Sequence, residues 1–145
     1  MENSRLRVGV VGYCPPTKFD EIEARRMLAE SYCRIESDFP GKDITVVSGL
    51  TNLGVLKLAY EEAKSRGWKT AGVACKKAYD FIENWFPVDE KPVIVGDNWG
   101  DESRTFVKSI DVLVRIGNGK QSLKEAELAK LQKKRTYEYD LAAIK

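Results

Sequence analysis

Short apolar runs, each closed by glycine or proline, alternate along this chain with longer polar stretches of helical spacing. The first run is Val8-Gly9-Val10-Val11-Gly12, brief and β-branched, which predicts a buried strand. Tyr13-Cys14-Pro15-Pro16-Thr17 cannot prolong it, because two prolines remove donors and fix φ. A helix is expected from about 19 to 37, with Ile22, Ala29 and Cys33 on one face and Arg26 on the same stripe; Phe39-Pro40-Gly41 ends it. Ile44-Thr45-Val46-Val47 predicts the second strand, closing on Ser48-Gly49. Leu53, Leu56, Ala59, Tyr60 and Ala63 then recur at helical spacing, the clearest amphipathic signal here, and Gly67 is a natural terminator.

Thr70-Ala71-Gly72-Val73-Ala74 predicts a third strand, followed by a helix or turn over 76–86 that stops at Pro87. Pro92-Val93-Ile94-Val95 predicts a fourth, cut by Gly96, and Asp101 is placed to cap a helix running through Phe106, Val107 and Ile110. Val112-Leu113-Val114-Arg115-Ile116 predicts a fifth strand, which ends in Gly117-Asn118-Gly119. Ser122 opens a helix to about residue 133, and Thr136-Tyr137-Glu138-Tyr139 reads as a last strand. Strands alternating with helical spacers predict an α/β fold, a Rossmann-like three-layer sandwich with a mostly parallel sheet. No repeat or low-complexity segment divides the chain, so one domain over 1–145 is expected.

Charge and composition narrow the chemistry. The 24 Lys plus Arg nearly balance 22 Asp plus Glu, for a net charge of +2, so no whole-molecule field argues for DNA, RNA or a membrane surface. There is no histidine, which excludes Ser-His-Asp and Cys-His nucleophiles, histidine bases and histidine-containing metal sites. Cys14, Cys33 and Cys75 are far apart and make no CxxC pair, so neither a disulfide framework nor a metal site is expected. No apolar window is long enough to span a membrane, and the expected location is cytoplasmic. No resident cofactor is called for.

In parallel α/β sheets ligands bind beyond the carboxyl ends of the strands. Four predicted strands finish in glycine at that edge: Gly12, Gly49, Gly96 and Gly117. Gly117, Asn118, Gly119, Lys120, Gln121 and Ser122 lead into a helix, whose first amides and positive dipole end suit an anion. Lys120 and the Ser122 hydroxyl would add a charge and a donor for phosphate. The same segment reads equally as a turn with Ser122 as N-cap and Glu125 closing a capping box. Ser48, Gly49 and Thr51 form a second strand-to-helix turn, with Thr51 or Asn52 as its cap and a close contact at Gly54 as the plainer alternative. Gly96, Asp97, Trp99 and Arg104 belong to a third, where Trp99 is suited to stacking on a base; the alternative is a solvated acidic loop. Tyr13 joins Gly12 at the first strand tip. Cys14 has no base or cation nearby in sequence to activate it, and the basic run at Lys130, Lys133, Lys134 and Arg135 reads as a solvated face.

Three of these pieces, in order, resemble the SLOG superfamily, which includes the LOG-type nucleotide phosphoribohydrolases once called lysine decarboxylase-like. Residues 46–59 are similar to that superfamily's second strand, glycine turn and following helix, and residues 110–116 to the strand before its PGGxGTxxE motif. In the loop Gly117 stands at the proline, Asn118 and Gly119 at the two glycines, Gln121 at the third, Ser122 at the threonine, and Glu125 keeps the glutamate. Arg104 lies upstream about where the family carries a functional arginine.

The resemblance implies a Rossmann-like fold, a nucleotide or nucleotide-derived phosphorylated ligand, and a homodimer. It also implies, for a catalytic member, hydrolysis of the N-glycosidic bond of a nucleoside 5′-monophosphate. There Glu125 would stabilise the oxocarbenium-like state and Arg104 would orient phosphate or base. The altered loop adds side chains at two glycine positions, which favours a nucleotide binder over an enzyme; a protein-interaction module that keeps the fold is the third reading.

Overall fold

A computed structural model describes residues 4–144. Six strands, β1 (Arg5–Gly12), β2 (Asp43–Ser48), β3 (Lys69–Ala74), β4 (Val93–Ile94), β5 (Val112–Ile116) and β6 (Arg135–Tyr139), form one sheet. Four α-helices, α1 (Glu21–Asp38), α2 (Gly54–Ser65), α3 (Ser103–Lys108) and α4 (Lys120–Leu131), and a 3₁₀ segment (Lys76–Asn84) connect them. Every strand pair is parallel, in the order β4-β3-β2-β1-β5-β6. The expected α/β class therefore holds.

The pleat explains the two cores. Val8 and Val10 of β1 face one side, where they meet Ala24 and Leu28 of α1 and Val55 and Leu58 of α2. Val11 faces the other side, with Leu113, Phe106 and Val107 of α3 and Ala126 and Ala129 of α4. Gly9 also faces α3: a Cβ there would stand 2.6 Å from the Ile110 side chain, so only hydrogen fits. Gly67 ends α2 at φ 76°, donating to the Lys64 carbonyl while Trp68 donates to that of Ala63.

Three local expectations change. The buried face of α1 is Ala24, Met27, Leu28, Ser31, Tyr32 and Ile35, not the Ile22–Ala29–Cys33 stripe. Ile22 is 81% exposed, Cys33 is exposed, and Arg26 pairs in solvent with Glu23 at 2.8 Å. Two stripes of helical spacing compete in this segment, and the larger side chains of the second bury more apolar surface. Asp101 does not cap α3: its Oδ2 accepts from the amides of Asp97 and Asn98, closing the loop before it. Of the basic run, Lys130 and Arg135 pair with Glu138 and Asp38, whereas Lys134 turns inward and its ammonium donates to the Val107 and Ile110 carbonyls at the end of α3.

Candidate functional site

Chain order runs outward from β1 to β4, then returns past β1 to β5 and β6. The direction reverses between β1 and β5, and at such a switch the two flanking loops part and leave a crevice. A cleft of about 560 Å³ lies there, above the carboxyl ends of the strands. Its walls come from the β1 tip, the turn after β2, the start of α4, and aromatic side chains from the 3₁₀ segment and the loop before α3.

Of the residues singled out in the sequence, Gly12, Tyr13, Ser48, Gly49, Thr51, Gly119, Lys120, Gln121, Ser122 and Glu125 line this cleft. Gly96, Asp97, Arg104, Gly117 and Asn118 are not among its lining residues. Asp97 pairs with Lys76 and Arg104 is exposed on α3. Gly117, at φ 93°, packs against the Tyr13 ring, where a Cβ would find ring carbons at 2.8 and 2.9 Å. Asn118 turns toward the C-terminal segment, where its amide group donates to Asp140 and accepts from the Leu141 amide. The side chain that replaces a motif glycine here thus stays out of the crevice.

Tyr13 braces this arrangement. Its hydroxyl donates to the Leu141 carbonyl at 2.6 Å and accepts from the Asn118 amide at 3.0 Å. Tyr13→Phe leaves both groups without that partner, so it should lower stability by about 1–3 kcal/mol in denaturant unfolding. An unchanged midpoint would show that water replaces the hydroxyl without loss.

At the start of α4 the amides of Gly119, Lys120, Gln121 and Ser122 have no hydrogen-bond partner among the described residues. The capping box read from Ser122 and Glu125 does not form: Gly119 is the N-cap, and no side chain caps the helix. Ser122 lies within the first turn with its hydroxyl in the cleft wall. Likewise Leu53, not Thr51 or Asn52, precedes α2 without a side-chain cap. Neither helix has a side-chain cap, but in α2 the Val55 amide donates to the Tyr13 carbonyl, whereas the first α4 amides stay unpartnered among the described residues, on residues that line the cleft.

Glu125 instead points inward. Its Oε2 accepts from Ser103 Oγ at 2.9 Å, with Gln121 Nε2 at 3.5 Å. Burial pushes its pKa up to about 7, and the nearby Glu102 carboxylate adds to the rise; the Ser103 and Gln121 hydrogen bonds oppose it. Glu102 shares the cleft floor, its Oε1 accepting from the Gly100 amide at 2.9 Å. Cys14 leaves part of its surface open, yet desolvation of its thiol and the Glu125 charge push its pKa up to about 11, which keeps it protonated and inert. Ser48 spends its proton on the Val10 carbonyl. Among the described residues no group of His, Cys, Asp and Glu is arranged to hold a metal ion, and no helix is long and apolar enough to cross a membrane.

Sequence reasoning did not single out Glu102, Phe81 or Phe106 as cleft residues. Glu102 sits in an acidic run that looked solvated, and the aromatics carried no spacing that separates rim from core.

The chain matches no protein-family model and no curated protein. Its fold is similar to solved structures. The molybdenum cofactor carrier protein of Chlamydomonas reinhardtii superposes with a TM-score of 0.67 at 26% identity, over 92% of this chain and 76% of that one. The molybdenum cofactor binding protein of the phototrophic bacterium Rippkaea orientalis gives 0.69 at 20% identity, again over 92% and 76%. A structural-genomics target, TM1055, gives 0.67 at 22% identity over 90% and 72%. The likeness is to an α/β Rossmann-like fold, and two of these relatives are known by a small-molecule cofactor that they bind or carry.

Proposed function

We propose that this protein binds a small phosphorylated ligand, nucleotide-like in size, in the cleft between β1 and β5, with the phosphate at the start of α4. The observation that carries the reading is the set of four unpartnered amides from Gly119 to Ser122, facing a cleft that also receives Lys120 and the Ser122 hydroxyl. Oriented N–H groups at a positive dipole end, with a lysine beside them, are the usual means of holding a phosphate without histidine or metal. The carrier and binding proteins of similar fold support a binding role. Lys120 is the cation at this position, since Arg104 lies outside the cleft lining.

Ribose 5-phosphate tests the phosphate subsite without a base. It should bind by calorimetry, and Lys120→Glu should weaken it about tenfold by replacing an attractive charge with a repulsive one. Equal binding by both proteins, or none by either, overturns the reading. Light scattering of the same samples reads the homodimer that belongs to it.

A second reading, hydrolysis of a nucleoside 5′-monophosphate at its N-glycosidic bond, is favoured by Glu125. A cleft carboxyl with its pKa raised to about 7 is poised to exchange a proton near neutral pH. Release of free base from a nucleotide panel, lost in Glu125→Gln, distinguishes turnover from binding.

A further inference from the structure

Beyond the phosphate end, the cleft holds two features that anion binding does not use. The first is an aromatic pair on its rim. Phe81, from the kinked 3₁₀ segment, and Trp99, from the loop before α3, have ring centroids 6.3 Å apart and planes inclined by 38°. Both line the cleft and remain about half exposed, at 46% and 50%. At that distance and tilt they do not stack face to face, and the exposed half of each side chain is surface on which a further ring can pack.

The second feature is a pair of buried carboxyls. Glu102 and Glu125 are 8% and 6% exposed, yet no salt bridge reaches either among the described residues. Each uses one oxygen on the protein, Glu102 toward the Gly100 amide and Glu125 toward Ser103. The other oxygen of each accepts no hydrogen bond from a described residue, although both side chains line the cleft. Buried carboxylates are ordinarily paired, and an ionised one only accepts. Neither of these second oxygens is sealed from solvent, so both are open to donors that enter the cleft, from water or from a ligand.

We infer that the cleft selects a planar heterocycle with adjacent N–H donors on one edge, its face against Phe81 and Trp99 and its edge on the free oxygens of Glu102 and Glu125. A 2-amino-4-oxopyrimidine edge, shared by guanine and pterin rings, presents a ring N–H beside an amino group and meets this requirement. Adenine lacks that pair. The inference rests on the phosphate reading above for its second anchor.

Calorimetric titration at pH 8, where Glu125 is ionised, with GMP, a monophosphorylated pterin, AMP, guanosine and ribose 5-phosphate tests it. GMP or the pterin should bind at least about tenfold more tightly than AMP, because a site built for donors rejects a ring that leaves its acceptors unpaired. Glu102→Gln and Glu125→Gln should each shrink that preference. Trp99→Ala should weaken the ring-bearing ligands severalfold without changing ribose 5-phosphate, and Trp99→Phe should restore them. The tighter of GMP and the pterin names the source of the ring. Equal binding of GMP, the pterin and AMP overturns the inference and leaves the phosphate reading standing. Guanosine binding as tightly as GMP, with no ribose 5-phosphate bound, overturns the phosphate reading instead. A Trp99→Ala protein that binds every ligand normally removes the aromatic half.

Discussion

Glu125→Gln should stabilise the protein at pH 8 by about 3 kcal/mol and leave it nearly unchanged at pH 4. The ordinary carboxyl value is 4.5, and burial raises that of Glu125 to about 7 in the folded chain. Between those values the folded protein keeps a proton that the unfolded chain has released. Stability from this group is therefore fully present below about 4.5 and is lost as pH rises through 7, the reverse of a salt-bridged carboxylate. Glutamine removes the ionisation while keeping an oxygen to accept from Ser103. Because the prediction is a difference between two proteins at each pH, the other carboxylates cancel. Denaturant unfolding at pH 4 and pH 8 reads it, and a variant no more stable than the parent at pH 8 would show that Glu125 is better solvated than its burial implies. A carboxyl kept in place at such cost is what a binding or catalytic site retains and a core discards.

Gly54→Ala should destabilise the fold by about 3 kcal/mol or more and lower Tm by about 10 °C. Gly54 opens α2 at φ 63°, a conformation that disfavours any side chain. It also presses on the backbone of the β1 tip: a new Cβ would overlap the Tyr13 carbonyl oxygen and stand 2.9 Å from Cys14 Cα. That same carbonyl accepts from the Val55 amide at 2.9 Å, so the strand tip cannot withdraw without breaking the bond that docks α2. Gly67→Ala supplies the control. Gly67 has φ 76° but nothing within 4 Å of a built Cβ, so its cost should be only the conformational one, about 1 kcal/mol. Equal losses at the two positions would show that φ alone matters at Gly54 and that the β1 tip yields. The cleft should feel the first change and not the second, because Tyr13 and Cys14 form its wall.

Strand positions were the most legible part of this chain. Runs such as Val112-Leu113-Val114-Arg115-Ile116 are buried on both faces of a parallel sheet, so continuous apolar character marks them without reference to any partner. Helix faces were less legible. In α1 small and polar residues fall on both stripes, and the one with the larger apolar side chains turns inward because the sheet offers it a surface to bury them against. Arg115 makes the same point within a strand: an arginine in β5 stays buried because Glu138, Asp140 and the Gly117 carbonyl surround its guanidinium from β6 and the loops.

The sequence by itself determined the βα alternation, the parallel sheet it requires, and the glycine-edged turn before α4, since these follow from local periodicity and backbone freedom; whether a side chain caps that helix it left open. The tertiary structure alone decided which turns converge. The reversal of strand order between β1 and β5 gathers the β1 tip, the β2 turn and the start of α4 about one cleft, and leaves Arg104 and Asn118 outside its lining. It also converted Glu125 from an expected capping partner into a buried carboxyl, by bringing Ser103 and Glu102 against it from the start of α3. A charge's chemistry depends on what surrounds it in space, and that environment is assembled here from segments some 20 residues or more apart.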